Sequence, residues 1–188
     1  MALFSTDDVK QELELKTDKD DTLLETIVAS VLSLVDLLTD RTWETATVTE
    51  YHSTDDYMDR IFLEQRPVTS ITTLHDDPDW VYGASCLVPS RDYAFDSQRG
   101  ILYYSGFFCS GKRNVKVVYV SGYSSSTVPA AYKQIMVRQA CVWYKQLKGS
   151  EWHLSAKITP AGGGSVTLQS LKNNLLPEFE LMLMREKN

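Results

Sequence analysis

Cysteine is scarce in this chain of 188 residues: Cys86, Cys109 and Cys141 are odd in number and far apart. They supply neither a disulfide framework nor the paired spacing of a metal site. A reducing, cytoplasmic place of synthesis is therefore expected. Histidine is equally sparse, and His52 and His153 have no neighbours at metal-ligand spacing. Long apolar runs are missing too. The longest, Ile27 to Leu38, is broken by Ser30, Ser33 and Asp36. It falls short of the roughly 20 residues that a bilayer crossing needs. No basic start followed by an apolar stretch and a small-residue cleavage site opens the chain, so no secretory leader is expected. Basic charge is not in excess. Lys and Arg number 19 against 25 Asp and Glu, a net charge of −6. Bulk attraction to nucleic acid or to an anionic membrane is not expected from that balance.

What is present suits a folded domain. Hydrophobic residues make up 43% and charged residues 23%, enough apolar material for a core. The charge is unevenly spread. Residues 1–60 hold 5 Lys/Arg and 15 Asp/Glu, a balance of −10, whereas residues 61–188 hold 14 and 10, a balance of +4. A polarised molecule of this kind has an acidic end that could meet the basic part of a neighbour, as in a head-to-tail ring.

The periodicities predict an α+β chain. Thr6-Asp-Asp-Val reads as a hydroxyl cap with acids in the first turn, opening a short helix over 5–15. A second helix over 20–41 follows, capped by Asp20 or Asp21. Its residues Leu24, Ile27, Val28, Val31, Leu34, Val35 and Leu38 keep helical spacing. From Thr42 the chain turns to β-branched alternation. Strands are predicted at 45–51, 61–63, 68–74, 93–95, 101–104 and 115–120, mostly antiparallel and joined by short turns, so that a β region fills 45–121. Pro129 then opens a third helix over 129–147. Pro160-Ala-Gly-Gly-Gly-Ser165 reads as a flexible connector. A last segment, Leu168 to Met184, has Leu171, Leu175, Phe179 and Met182 near helical spacing, with Pro177 interrupting it. The expected organisation is a connector domain over 1–148 and a linker with a C-terminal partner-binding segment over 149–188.

Few residues carry recognisable chemistry. Gly162-Gly-Gly-Ser165 lacks the Lys-Ser/Thr of a phosphate loop and reads as linker. There is no Gly-x-Ser-x-Gly elbow and no suggested Cys/His pair. His75, Asp76, Asp77 and Asp79 could offer oxygen ligands to a hard cation, but they lack an EF-hand pattern and read as a solvated loop. Two stretches invite a partner. Cys109-Ser-Gly-Lys-Arg113 reads as a tip between two strands, with Lys112 and Arg113 exposed as a candidate contact for DNA phosphate or an acidic protein surface. Leu175, Leu176, Phe179, Leu181, Met182, Leu183 and Met184 crowd apolar surface behind the glycine connector. A terminal helix this apolar must bury itself, either on its own domain or on a neighbouring subunit.

The order of elements resembles a known family. "DDTLLETIVASVLSLVDLLTDRTW" spans Asp20–Trp43, "LEQRPVTSITTL" spans Leu63–Leu74, and "RDYAFDSQRGILYY" spans Arg91–Tyr104. "VKVVYVSGYSSSTVPAAYKQIMVRQACVWY" spans Val115–Tyr144. The run of "L-x-x-x-P-V-x-S-I", "Y-x-x-x-x-x-x-G-x-I", "V-x-V-x-Y-x-x-G-Y" and "P-x-x-[IL]-x-x-A" before a long helix is similar to the head–tail connector (adaptor) proteins of tailed bacteriophages. The resemblance covers roughly residues 5–148, and "LLPEFELMLM" resembles the family's leucine-rich ending. The segments Trp80–Ser90 and Gly149–Ser165 are longer than the family's pattern.

That resemblance implies a bundle of long helices with a small, mostly antiparallel β lobe inserted between them, plus a C-terminal tail helix. It implies a structural virion protein at the neck, assembled in the host cytoplasm. Twelve copies would form a ring under the portal protein, extend the DNA channel and carry the stopper or tail-completion protein. Double-stranded DNA would pass through the lumen. No catalytic residue, cofactor, metal or membrane is implied. Two other readings stand beside it: a monomeric assembly chaperone or binding module, and a small metal-dependent hydrolase using the His75–Asp79 loop.

Overall fold

The computed structural model describes residues 2–148 and 175–186 with their side chains, and the backbone of 157–158, 166–167 and 187. The expected connector Pro160–Ser165 and the residues Leu168 and Leu171 lie outside that description. The chain divides into two units. One is continuous, Arg41–Thr127; the other joins Ala2–Asp40 to the stretch from Val128 onward.

The helical unit is built on α2 (Asp21–Thr39) and α3 (Ala130–Lys148), 19 residues each. Leu24, Ile27, Val28, Val31 and Val35 form the buried stripe of α2, and Met136, Val137, Ala140, Cys141 and Tyr144 face inward on α3. Each such aliphatic side chain contributes roughly 1.5–3 kcal/mol by leaving water. The length and composition of α2 would also suit a membrane span. Its packing is that of a core helix, because Thr22, Glu25, Thr26, Ser30 and Ser33 point outward. Asp40, in the left-handed region at φ 54°, closes it. α1 (Thr6–Glu12) is capped by Ser5 rather than Thr6. The Ser5 hydroxyl accepts from the Asp8 amide while the Asp8 carboxylate accepts from the Ser5 amide, a capping box. Ion pairs tie α1 and the turn after it to the rest: Lys133 to Asp8 at 2.9 Å, and Lys10 to Asp18 at 2.8 Å.

α4 (Pro177–Lys187) completes the unit against α2 and α3, with Phe179, Met182 and Leu183 buried. The class is α+β, as expected, but a bundle of long helices is not what forms. α1 has only 7 residues, ended by the left-handed Glu14, and α4 has 11, started by Pro177. The backbone of β7 (Lys157–Ile158) and β8 (Val166–Thr167) pairs antiparallel between α3 and α4 in the sequence.

The β unit holds two antiparallel sheets. In the first, β6 (Gly111–Ser121) lies between β1 (Ala46–Thr54) and β3 (Val68–Asp76). In the second, β5 (Ile101–Tyr104) lies between β2 (Arg60–Phe62) and β4 (Tyr93–Asp96). Ile61, Leu63, Leu74, Leu102, Val115, Val117 and Tyr119 share one core. The Tyr119 hydroxyl is not wasted there: it donates to the Glu50 carboxylate and accepts from the Gln65 amide at 3.0 Å.

Both motif glycines have a physical reason. Gly100 sits at φ +65°, and a Cβ there would lie 2.9 Å from the Leu63 carbonyl oxygen. Gly122 sits at φ +94°, and a Cβ there would lie 2.4 Å from the Glu44 carbonyl oxygen. Only glycine allows that approach. It matters because the chain enters and leaves the β unit at this point. The Tyr123 amide donates to the Trp43 carbonyl at 2.7 Å and the Thr45 amide to the Tyr123 carbonyl at 3.1 Å.

Candidate interaction surfaces

Lys112 and Arg113 are exposed, as expected, but they do not form a tip between two strands. β5 and β6 belong to different sheets, and Gly111 already pairs with Thr54 of β1. The two cations thus lie at the start of the central strand β6, and their backbone serves as an anchor. The Trp80 indole Nε1 donates to the Lys112 carbonyl at 2.7 Å, and the Tyr82 hydroxyl donates to the Arg113 carbonyl at 2.5 Å.

Those two aromatics come from the loop after β3. Its organiser is Asp77, buried at 3% exposure. The Asp77 carboxylate accepts from the Asp79 amide at 3.0 Å and the Tyr82 amide at 2.7 Å. The backbone hydrogen bond from Asp79 is the main reason its carboxyl is held below the ordinary carboxylate value. Trp80 and Tyr82 both take left-handed backbone, at φ 61° and 50°, as does Arg113 at φ 51°. Such conformations cost free energy in residues with side chains and persist where the surroundings over-determine them.

The result is a braced aromatic and cationic knuckle. The Arg113 guanidinium lies 4.5 Å from the Tyr51 ring centroid, and Lys116 lies 5.3 Å from that of Tyr82. Tyr51 and Tyr82 are 5.5 Å apart. Trp80 and Val81, at the crest, are 62% and 77% exposed. Large apolar side chains held rigidly in solvent beside arginine are the composition of a protein-binding hot spot. The sequence marked Trp80–Ser90 only as a long insertion. Its legible signal was a Trp-Val-Tyr run next to Gly83 in a turn.

Asp76 and Asp77 are occupied. Asp76 accepts from the Cys109 amide at 2.8 Å and from the Asn114 side-chain amide at 3.2 Å, and Asp77 is held as described. His75 stacks edge-on to Tyr82, and burial, then the Lys116 charge, lowers its pKa. Among the described residues, no three potential metal ligands come together.

The C-terminal apolar segment is split by the period of α4. Phe179, Met182 and Leu183 face its own unit, whereas Leu181 and Met184 are 67% and 65% exposed. Leu175 and Leu176 are half-buried, and the Leu176 amide donates to the buried Gln139 side-chain oxygen at 2.8 Å. The Tyr132 hydroxyl donates to Glu186 at 2.6 Å. One face of the expected partner-binding segment is therefore core, and the other is surface.

A family model described as head completion protein matches residues 2–185. No curated protein matches the chain by sequence. Three solved chains share the fold at low identity. One is in the neck of an empty GTA particle computed with C6 symmetry: TM-score 0.56, 16% identity, 76% of this chain and 78% of that one. Another is in the neck of a native GTA particle computed with C12 symmetry: TM-score 0.52, 16% identity, 71% and 75%. A third is in the virion of a native gene transfer agent (GTA) particle: TM-score 0.59, 13% identity, 99% and 89%.

Proposed function

The chain belongs to the head completion protein family, and from that premise we propose that it forms a ring of twelve copies beneath the portal protein. There it extends the DNA channel and offers the platform on which a stopper or tail is attached. The family match over residues 2–185 carries the reading. The C12 symmetry of a neck that contains a similarly folded chain supports the copy number.

The physical features suit the role. A cyclic ring needs two different complementary faces on each copy. The balance of −10 over residues 1–60 and +4 over residues 61–188 provides for them. An acidic lumen lets DNA slide, because phosphate contacts through basic side chains give tight, salt-dependent binding. The role requires no catalysis and no cofactor.

Two surfaces are assigned to partners. The knuckle of Trp80, Val81, Lys112 and Arg113 meets an acidic protein surface rather than DNA. The exposed Trp80 and Val81 at its crest need an apolar partner, which a protein surface offers and phosphate does not. The outward face of the C-terminal helix, carrying Leu181 and Met184, grips the portal or a neighbouring copy. The test is to mix the full chain with purified portal or with DNA-filled tailless heads, and to combine mass measurement with negative-stain imaging. A ring of added density on the portal vertex is expected. A chain that stays monomeric and leaves the heads bare would overturn the reading in favour of an assembly chaperone. Deleting residues 166–188 should abolish incorporation, and unchanged incorporation would remove the C-terminal segment from the contact.

A further inference from the structure

Beside the buried stripe of α2 runs a groove of about 620 Å³ on the helical unit, lined by Ala29, Ser33, Leu34 and Leu37 of α2 and by Trp143 of α3. Leu37 is 76% exposed at its end. The small side chains at 29, 30 and 33 let a second backbone come close, while Leu34, Leu37 and Trp143 give it apolar floor and walls. α2 carries Asp21, Glu25 and Asp36 and no base, so every formal charge on this helix is negative.

The same unit displays a matching ridge. Leu181, Met184 and Arg185 are all exposed and fall at i, i+3 and i+4 of α4, which is one face. α4 has 11 residues. That is about 16 Å of helix, enough to run along α2 from Leu23 to Ser33. The ridge does not fill its own groove. If it did, Leu37, Leu181 and Met184 would not be 76%, 67% and 65% exposed. The inner face of α4 is already taken by its own α2 and α3.

We infer that the outward ridge of α4, Leu181–Met184–Arg185, seats in the α2 groove of a second copy of this chain, with Arg185 against Glu25. Groove and ridge are different patches of one molecule, so the contact repeats head to tail and closes only as a ring. α4 then lies between two copies, its inner face on one and its outer face on the next. Run antiparallel to α2, it sets Leu181 opposite Ala29 and Glu178 opposite the hydroxyl of Ser33. The inference rests on the ring reading above and names the partner of the C-terminal helix within it.

The experiment keeps the two separable. Full-length chains labelled with light and heavy nitrogen are mixed, with a photoreactive phenylalanine at position 181, and added to tailless heads. The expected adduct joins Leu181's position to the 26–37 segment of a chain with the other label. An adduct within one label, or one to the portal, overturns the inference. In parallel, Ala29→Arg and Leu181→Glu are each expected to lower ring occupancy by about tenfold or more, because each sets a charge against an apolar partner. Both positions are exposed, so folding is spared, and the double variant, which restores opposite signs across the contact, should recover. Rings that form on the heads unaffected by either single variant would sink this interface and leave the ring standing. Wild-type chain that forms no ring on the heads would sink both.

Discussion

The two faces of α4 make opposite predictions for substitutions two residues apart. Phe179 is fully buried, and Phe179→Ala removes its ring from the contact with α2 and α3. A buried Phe→Ala change costs about 3–5 kcal/mol. An 11-residue helix depends on such packing, because helices this short are marginal in isolation. The loss should therefore appear as release of α4 and not as unfolding of the whole unit. Amide hydrogen exchange over 175–187 should accelerate about a hundredfold or more, at about 1.4 kcal/mol per tenfold. Exchange in the buried turns of α2 and α3 should change far less. Leu181→Ala, at 67% exposure, should move stability by no more than about 0.5 kcal/mol. Yet it should weaken incorporation into heads. Equal exchange over 175–187 in the two variants would refute the assignment of faces.

Three further outcomes follow from the β unit. Gly122→Ala drives a Cβ to within 2.4 Å of the Glu44 carbonyl oxygen at φ +94°, so thermal melting of this unit should fall, at a cost of about 1–3 kcal/mol; an unshifted melt would mean the segments 43–45 and 121–123 are not held together as described. Trp80→Ala should leave the melt in place, since the side chain is 62% exposed, and should reduce binding to heads. Binding equal to wild type would remove the knuckle from the contact. Glu50 gives a pH dependence. Burial pushes its carboxyl upward, but hydrogen bonds from His52, Tyr119 and the Glu64 amide outweigh that and hold it below the ordinary value of 4.5. Its contribution to stability is therefore complete above that value and fades as pH falls through the lower, folded one. Glu50→Gln should flatten the acid limb of melting temperature against pH, and an unaltered limb would assign it to other carboxylates.

How much of this was legible in the sequence varied with the range of the forces involved. α2 was legible almost to the residue, because its stripe from Leu24 to Val35 is a local pattern and one face must be buried. The strand cores were legible for the same reason. Their ends were not. β6 begins at Gly111, four residues before the apolar alternation, because Gly111 pairs with Thr54 across an irregularity in register, while the Lys112 and Arg113 side chains stay in water. The knuckle was illegible because its braces are distant: Trp80 and Tyr82 bond to carbonyls more than thirty residues further along the chain. The C-terminal apolar residues were found but read as one patch. Pro177 sets the phase of α4, and that phase turns 179, 182 and 183 inward and 181 and 184 outward.

The helical unit is assembled from both ends of the chain, and that has a consequence during synthesis. About 90 residues separate Thr39, the end of α2, from Ala130, the start of α3. At roughly 5–20 residues per second, the ribosome needs on the order of ten seconds to cover that interval. Throughout it the valine- and leucine-rich side of α2 has no α3 to lie against, while the continuous β unit is already free to fold. The nascent chain therefore passes through a stage in which a finished β unit trails an unfinished, sticky helix. The hydroxyls and acids on the other side of α2 are what keep that intermediate in solution until the second half of its shelter arrives.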